Sequence, residues 1–437
     1  MFEQVAVALV LVAVFAGIAL EKIDKTIIAL AAAVLLVVTR LISFEQAIHA
    51  IDFNTIGLLL GMMLLVACLY EVRLFEWISL KLGLATGGNP VLIFAVFSVA
   101  TAVISAFLDN VTTVLIIIPL AIALVRGIGL DPKSFVLCII FQSNIGGTAT
   151  LIGDPPNIMI GAKTGLTFLQ FVQYLTLPCA LCVVVAMLLI RRRYANVIRS
   201  RARVFGWLFM SNLLLEQIRR QEQKLNIPRA VLVKSCVIFG IVLLGFFTHA
   251  ATGLNPAVVA IGGAVLMLLA FPRELELHHG LRRVEWGTLL FFAGLFIVVG
   301  AVEQAGLLKL LAHGLVSLTD NLWVLLLIVL WTSAILSAVI DNIPFVAVMI
   351  PTIQNLITEG PFAQHPKAQL LWWALSLGAC LGGNGTQIGA SANVIGSAIA
   401  RSAGVNISFG TFAREALPTT FATIVVSALY LTVLYVW

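Results

Sequence analysis

The chain has 437 residues, 61% of them apolar and 11% charged, with a mean hydropathy of +1.09 and a formal net charge of +6. Soluble domains carry about 25% charged residues, so this balance excludes a soluble globular chain and describes a membrane protein. The Lys and Arg residues fall in connections between apolar segments rather than on a face or an arm, which excludes nucleic acid as a partner and gives the positive charge a role in membrane orientation.

In chain order, the first apolar run, residues 5–20, has Glu3 ahead of it and no cationic leader or small-residue cleavage site. It reads as a retained helix rather than a signal peptide. Apolar stretches of about 17–25 residues, long enough to cross a hydrocarbon core of roughly 30 Å, then recur throughout. The pattern predicts helices at 4–20, 26–42 and 54–72, an amphipathic stretch to Gly88, a broken pair at 91–126, a discontinuous segment at 133–163 and a helix at 168–190. It predicts the same series again at 231–248, 254–271 and 287–302, an amphipathic stretch to 320, then 322–357, 369–400 and 416–437. The expected domains are a first transport repeat (1–190), a basic linker (191–229) and a second repeat (230–437). The six cysteines lie in or beside apolar stretches and read as reduced, buried packing residues. Cys179-x-x-Cys182 has no partner pair, so no metal site and no redox motif is expected.

The linker holds ten Lys or Arg against Glu216 and Glu222, which makes it cytoplasmic by the positive-inside rule. Counting outward from it assigns 22 basic residues to cytoplasmic connections and four (Arg40, Lys163, Lys309, Lys367) to the outside. Each half then has five crossings plus a hairpin. An odd count inverts the second half relative to the first and puts both termini outside a cytoplasmic (inner) membrane. The expected fold class is an all-α polytopic membrane protein of two inverted-topology repeats, each with a re-entrant hairpin and a discontinuous helix.

Two blocks of sequence occur twice. ISAFLDNVTTVLIIIPL (104–120) returns as LSAVIDNIPFVAVMIPT (336–352), and GGTATLIGDPPN (146–157) returns as GGNGTQIGASAN (382–393). Polar, helix-breaking residues at corresponding points of two apolar halves mark the binding site of a secondary transporter. Asp109 and Asp341 each stand inside an apolar run, where a carboxylate costs about 2.5–3.5 kcal/mol. Each is followed by an asparagine, Asn110 and Asn342. At hairpin tips these groups, together with Thr112, would meet the ends of half-helices, whose free N–H and C=O groups can hold a solute. Gly146, Gly147, Thr148, Thr150 and Asn157 supply open backbone, hydroxyls and an amide in the first helix break. Gly382, Gly383, Asn384, Thr386 and Asn393 do so in the second. Asp154, whose counterpart is Ala390, is balanced between a site residue and a turn or helix cap formed by Asp-Pro-Pro.

SAFLDNVTT together with NIGGTATLIGDPPN resembles the arsenite-pump/NhaD branch of the ion transporter superfamily and is P-protein-like in pattern. The resemblance covers both halves. It implies two inverted repeats, a homodimer, and a substrate site between hairpin tips (Asp109, Asn110, Asp341, Asn342) and helix breaks (Gly146 to Thr150 with Asn157; Gly382 to Thr386 with Asn393). Dicarboxylate carriers of the superfamily typically have Ser-Asn-Thr at the tips. Asp-Asn-Val and Asp-Asn-Ile stand here instead, and a carboxylate there repels an anionic solute.

The first functional reading is proton-coupled efflux of arsenite or antimonite, with Asp109 or Asp341 carrying the coupling H+ and Thr and Asn groups binding the uncharged trihydroxide. The alternative is a Na+/H+ antiporter using the same aspartates, and a dicarboxylate or other anion carrier ranks below both. No catalytic constellation and no nucleotide-binding loop is visible. The chain therefore reads as a non-enzyme without cofactors, driven by an ion gradient or by a separate ATPase subunit, with membrane lipid as its environment.

Overall fold

Capping side chains divide the apolar runs where the sequence expects breaks. The computed structural model describes residues 2–20, 22–198, 216, 218–220, 227–272, 275, 277–358, 360–363 and 365–437. Asp52 accepts from the backbone N–H of Asn54 and Thr55 and opens helix Phe53–Glu71. Asn89, with Pro90 in the first helical position, opens Pro90–Ser105, and its counterpart Asn321 opens Leu322–Val339. Such residues satisfy donors that the first turn of a helix leaves free, and Pro at the first position gives up no helical hydrogen bond.

The helices recur in the same order in both halves. Phe2–Leu20, Lys25–Val38, Phe44–Ala50, Phe53–Glu71 and Leu74–Ala85 correspond to Arg229–Thr252, Pro256–Ala270, Leu277–Arg283, Trp286–Gln304 and Leu307–Leu318. The first hairpin, Pro90–Ser105 and Asn110–Gly127, corresponds to Leu322–Val339 and Asn342–Thr358. The broken helix Lys133–Thr148/Pro155–Thr164 corresponds to Leu370–Gly382/Ser391–Ser402, and Phe168–Arg193 to Phe409–Val436. Prolines recur inside matching helices, Pro119 with Pro351 and Pro178 with Pro418. Among the described residues, eight helices are long and apolar enough to cross a membrane. This is the expected all-α architecture of two inverted repeats, each with a hairpin and a discontinuous helix.

The innermost elements are the first halves of the two broken helices. Every residue from Ser134 to Thr148 and from Leu370 to Gly382 is buried, the mark of a helix surrounded by protein on all sides. They pack against each other and against their own hairpins. The peripheral helices Phe2–Leu20 and Arg229–Thr252 turn large apolar side chains such as Leu9, Val12, Val237 and Leu244 outward. The repeats also exchange partners. Phe53–Glu71 packs on Pro256–Ala270 of the other half, and Trp286–Gln304 packs on Lys25–Val38.

Three details differ from the sequence expectation. The short helices Phe44–Ala50 and Leu277–Arg283 carry too few residues for a periodic signal. The last helix begins at Phe409 rather than 416, because the Ser408 hydroxyl accepts from Thr411 N–H and caps it there. Five cysteines are buried as expected, whereas Cys236, on the peripheral helix Arg229–Thr252, is exposed. Of the basic linker, residues 199–215, 217 and 221–226 lie outside the described residues. At its start, Arg193 is paired with the buried Glu415 at 2.8 Å.

Candidate functional site

Each hairpin tip is bound to the break in its own repeat by matching hydrogen bonds. Ser105 Oγ donates to the Ser143 carbonyl at 2.6 Å, and Ser337 Oγ to the Ala379 carbonyl at 2.5 Å. Thr150 Oγ1 donates to the Ala106 carbonyl, as Thr386 Oγ1 does to that of Ala338. Asn157 Nδ2 donates to the Thr148 and Thr150 carbonyls, both at 2.9 Å. Asn393 Nδ2 donates to those of Gly383 (2.7 Å) and Thr386 (2.8 Å). Carbonyls freed by a helix break in an apolar interior need such partners. The glycines answer a steric demand. A Cβ on Gly146 would lie 2.5 Å from Ala102 Cα, and one on Gly382 the same distance from Ala334 Cα. Gly147 and Gly383 similarly face the Gly153 and Gly389 carbonyls.

Both tips converge on one cavity of about 70 Å³. Its polar lining is Asp109, Asn110, Asp341 and Asn342 from the tips, Asp154 and Ser391 from the two breaks, and Lys25, Glu285 and Thr288 from the flanking helices. Two tips from inverted halves can share one cavity only if they meet inside the molecule, as re-entrant hairpins do. A wider cavity of about 600 Å³, lined by Lys22, Asp24, Ile340 and Val394 among others, adjoins it and shares Lys25, Asp341 and Ser391 with it.

The carboxylates differ in their partners. Asp109 caps helix Asn110–Gly127 and accepts from Thr112 N–H at 2.7 Å and Thr112 Oγ1 at 2.5 Å. Asp341 is 2.5 Å from Lys25 Nζ. That ammonium also donates to Ser391 Oγ at 3.3 Å and lies 5.1 Å from the Phe291 ring centre. Glu285 Oε2 accepts from Thr288 Oγ1 at 3.0 Å. Asp154 is 1% exposed, and neither of its carboxyl oxygens has a hydrogen-bond partner.

Of the residues expected from the sequence, Asp109, Asn110, Asp341 and Asn342 reach the cavity. Thr148, Thr150, Asn157, Thr386 and Asn393 spend their donors on backbone carbonyls; Thr148 bonds Asn144 O at 2.7 Å. Thr112 serves Asp109. Gly146, Gly147, Gly382 and Gly383 permit close backbone approach. Asn384 donates to the Phe141 carbonyl at 3.2 Å.

Sequence reasoning missed Lys25, which it assigned to orientation, and Glu285, which resembles a surface helix start. It also missed Asn144, which stands inside the quoted NIGGTAT block. Asn144 accepts from Asn110 Nδ2 at 2.9 Å and donates to Asn384 Oδ1 at 2.7 Å and Asn393 Oδ1 at 2.8 Å.

Two repeats, with hairpin tips and helix breaks closing on a central polar cavity, define a polytopic membrane transporter. The description "Citrate transporter" belongs to the family model that matches residues 15–378, and the chain belongs to that family. An uncharacterized transporter of Mycobacterium tuberculosis is 36% identical over 99% of both chains. The P protein of Sus scrofa is 33% identical over 99% of this chain, which spans 60% of that protein's length. The P-protein pattern noted in the sequence thus extends along the whole chain. Among solved structures, the Alcanivorax borkumensis YdaH transporter, described as having an unusual topology, matches with a TM-score of 0.54. It is 15% identical, with 89% of this chain and 87% of that one covered, a likeness of fold alone.

Proposed function

We propose that this chain is a proton-coupled secondary active transporter in which binding of a small solute at the carboxylates of the central cavity is exchanged for H+ held by a carboxyl of the same cavity. The observation that carries this reading is the convergence of Asp109, Asp154, Asp341 and Glu285 on one small cavity, against Lys25 as the lysine lining it. Carboxylates held in an apolar interior are costly unless paired or protonated. A bound cation or a bound proton relieves that cost equally well, and this equivalence is the physical basis of exchange.

The same charge balance selects the solute. Excess carboxylate repels a polyanion, so citrate, from which the family takes its description, fits this cavity poorly as a free anion. A small cation such as Na+ is the solute this charge balance favours, in Na+/H+ exchange. It is held by one or two carboxylates at a time, since among the described residues no three acidic groups stand close enough to hold one ion together. Efflux of arsenite or antimonite, the activity of the arsenite-pump branch, is the second reading. It is favoured by Asn110, Asn342, Thr288 and Ser391, neutral groups at the same cavity that can hydrogen-bond a trihydroxide. It loses ground because the threonines and asparagines of the helix breaks are already committed to backbone carbonyls.

In the orientation set by the basic residues, the linker is cytoplasmic, both termini are outside, and the wider cavity beside Lys22 and Lys25 opens toward the cytoplasm of an inner membrane. The test uses everted vesicles with an acid interior. Na+-induced alkalinisation of the interior establishes Na+/H+ exchange. Saturable arsenite uptake that collapses with a protonophore establishes arsenite efflux. Flux of both solutes that ignores the pH gradient overturns proton coupling.

A further inference from the structure

The Asp-Pro-Pro turn that breaks the first discontinuous helix carries a carboxyl that the turn does not use. Asp154 occupies the N-cap position of helix Pro155–Thr164, where an aspartate ordinarily accepts from the N–H of the second or third helical residue. The second residue is Pro156 and has no N–H. The third, Asn157, donates instead to the Asp154 main-chain carbonyl at 3.0 Å. No side-chain cap is formed. In the other repeat the same turn, with nearly the same extended backbone, is made by Ala390 (φ −149°, ψ 143°, against −143° and 135° at Asp154). The turn therefore needs no carboxyl, and the cap reading of Asp154 is set aside.

The carboxyl is nonetheless buried and lines the cavity. The titratable groups facing it are Asp109 and Asp341 from the two tips, Glu285 and Lys25 from the flanking helices, and the Cys380 thiol from the opposing broken helix. Three of the four cavity carboxylates have partners: Thr112 for Asp109, Lys25 for Asp341 and Thr288 for Glu285. Asp154 has none. An ionised carboxylate removed from bulk water, with only a thiol and an amide against it, is expensive, whereas a neutral carboxyl is tolerated.

We infer that Asp154 is the residue that carries the exchanged proton, and that Asp109 and Asp341 bind the solute. This deepens the reading above and rests on it. In the closed cavity Asp154 holds the proton. It releases it to water when the cavity opens, at the moment a cation reaches Asp109 and Asp341 and compensates the new charge. The coupling is then built into one repeat only, because Ala390 leaves the second helix break without a carboxyl at the equivalent position.

The test is Asp154→Asn in proteoliposomes, with radiolabelled Na+ and radiolabelled arsenite as probes, each measured in two modes. Flux driven by a pH gradient should be lost, while solute counterflow at equal pH on both sides, which needs no proton transfer, should persist. Gradient-driven flux at the wild-type rate overturns the inference. So does loss of both modes in a variant that stays monodisperse in detergent, because it would make Asp154 a solute ligand or a structural group. If Asp154→Asn does not fold, Asp154→Glu, which keeps the carboxyl and moves it, should shift the pH dependence of gradient-driven flux; an unshifted profile overturns the inference. Wild-type flux of both probes that ignores the pH gradient would instead remove the proposed function, and Asp154's role with it.

Discussion

Asn144 and Asn393 bridge the two repeats directly, with Nδ2 of the first 2.8 Å from Oδ1 of the second. The equivalent crossing in the other direction is made by Cys380 and Asn157, whose Sγ and Oδ1 are 3.7 Å apart. One crossing is amide to amide and the other is thiol to amide, so the core of the molecule is only approximately symmetric. Asn144 also holds Asn110 and Asn384. Its removal leaves three buried amides each short of a partner. Asn144→Ala is expected to destabilise the protein by about 1–3 kcal/mol for each group left unsatisfied. It should also abolish transport by releasing the tip at Asn110. Thermal unfolding in detergent alongside vesicle flux checks this, and an unchanged melting temperature would refute it.

Lys25 and Asp341 stand between the wide and the narrow cavity. Lys25→Met strands Asp341, and Asp341→Asn strands Lys25, so either change should stop transport. The pair of changes together should recover stability relative to the single variants. The cycle is expected to give a coupling energy of about 0.5–3 kcal/mol. Additive single effects would mean that the ion pair contributes nothing.

Asp109→Asn and Asp109→Ala separate two duties of one side chain. Asparagine caps a helix about as well as aspartate, whereas alanine costs about 0.5–2 kcal/mol. Asp109→Asn should therefore keep the wild-type melting temperature and raise the KM for Na+, and Asp109→Ala should show both defects. A wild-type KM in Asp109→Asn would remove this carboxylate from the solute site.

The glycine blocks are testable as packing. Alanine at Gly146 or Gly382 drives a methyl into backbone of the hairpin, at Ala102 and Ala334 respectively. Overpacking of this kind costs about 1–3 kcal/mol. Gly262→Ala, where nothing lies within 4 Å of the added carbon, is the matched control and should be neutral. Comparable melting temperatures for all three variants would argue against the steric account.

The architecture was legible because apolar length, caps and prolines are local, and because duplication states the fold twice. Helix boundaries from Phe2–Leu20 to Phe168–Arg193 fall within a few residues of the sequence pattern. The hairpin-tip residues were legible for a related reason, since a carboxylate in an apolar run has few innocent explanations. The rest of the cavity was not. Lys25 reaches Asp341 across 316 positions of chain, and nothing local distinguishes it from the other lysines near helix ends. Thr150 and Asn157 looked like ligands because sequence shows a hydroxyl or an amide but not the carbonyl that already occupies it. Duplication marks the residues that recur, whereas Asp154 and Lys25 have no acidic or basic twin at Ala390 and Pro256.

The exchange of partners between repeats bears on how the chain is made. Helix Phe53–Glu71 is complete long before its partner Pro256–Ala270 is synthesised, and Lys25–Val38 waits for Trp286–Gln304. Until those second-half helices emerge, the two first-half helices have faces without their native partners. Tertiary assembly is thus a late event, completed only as the second half arrives.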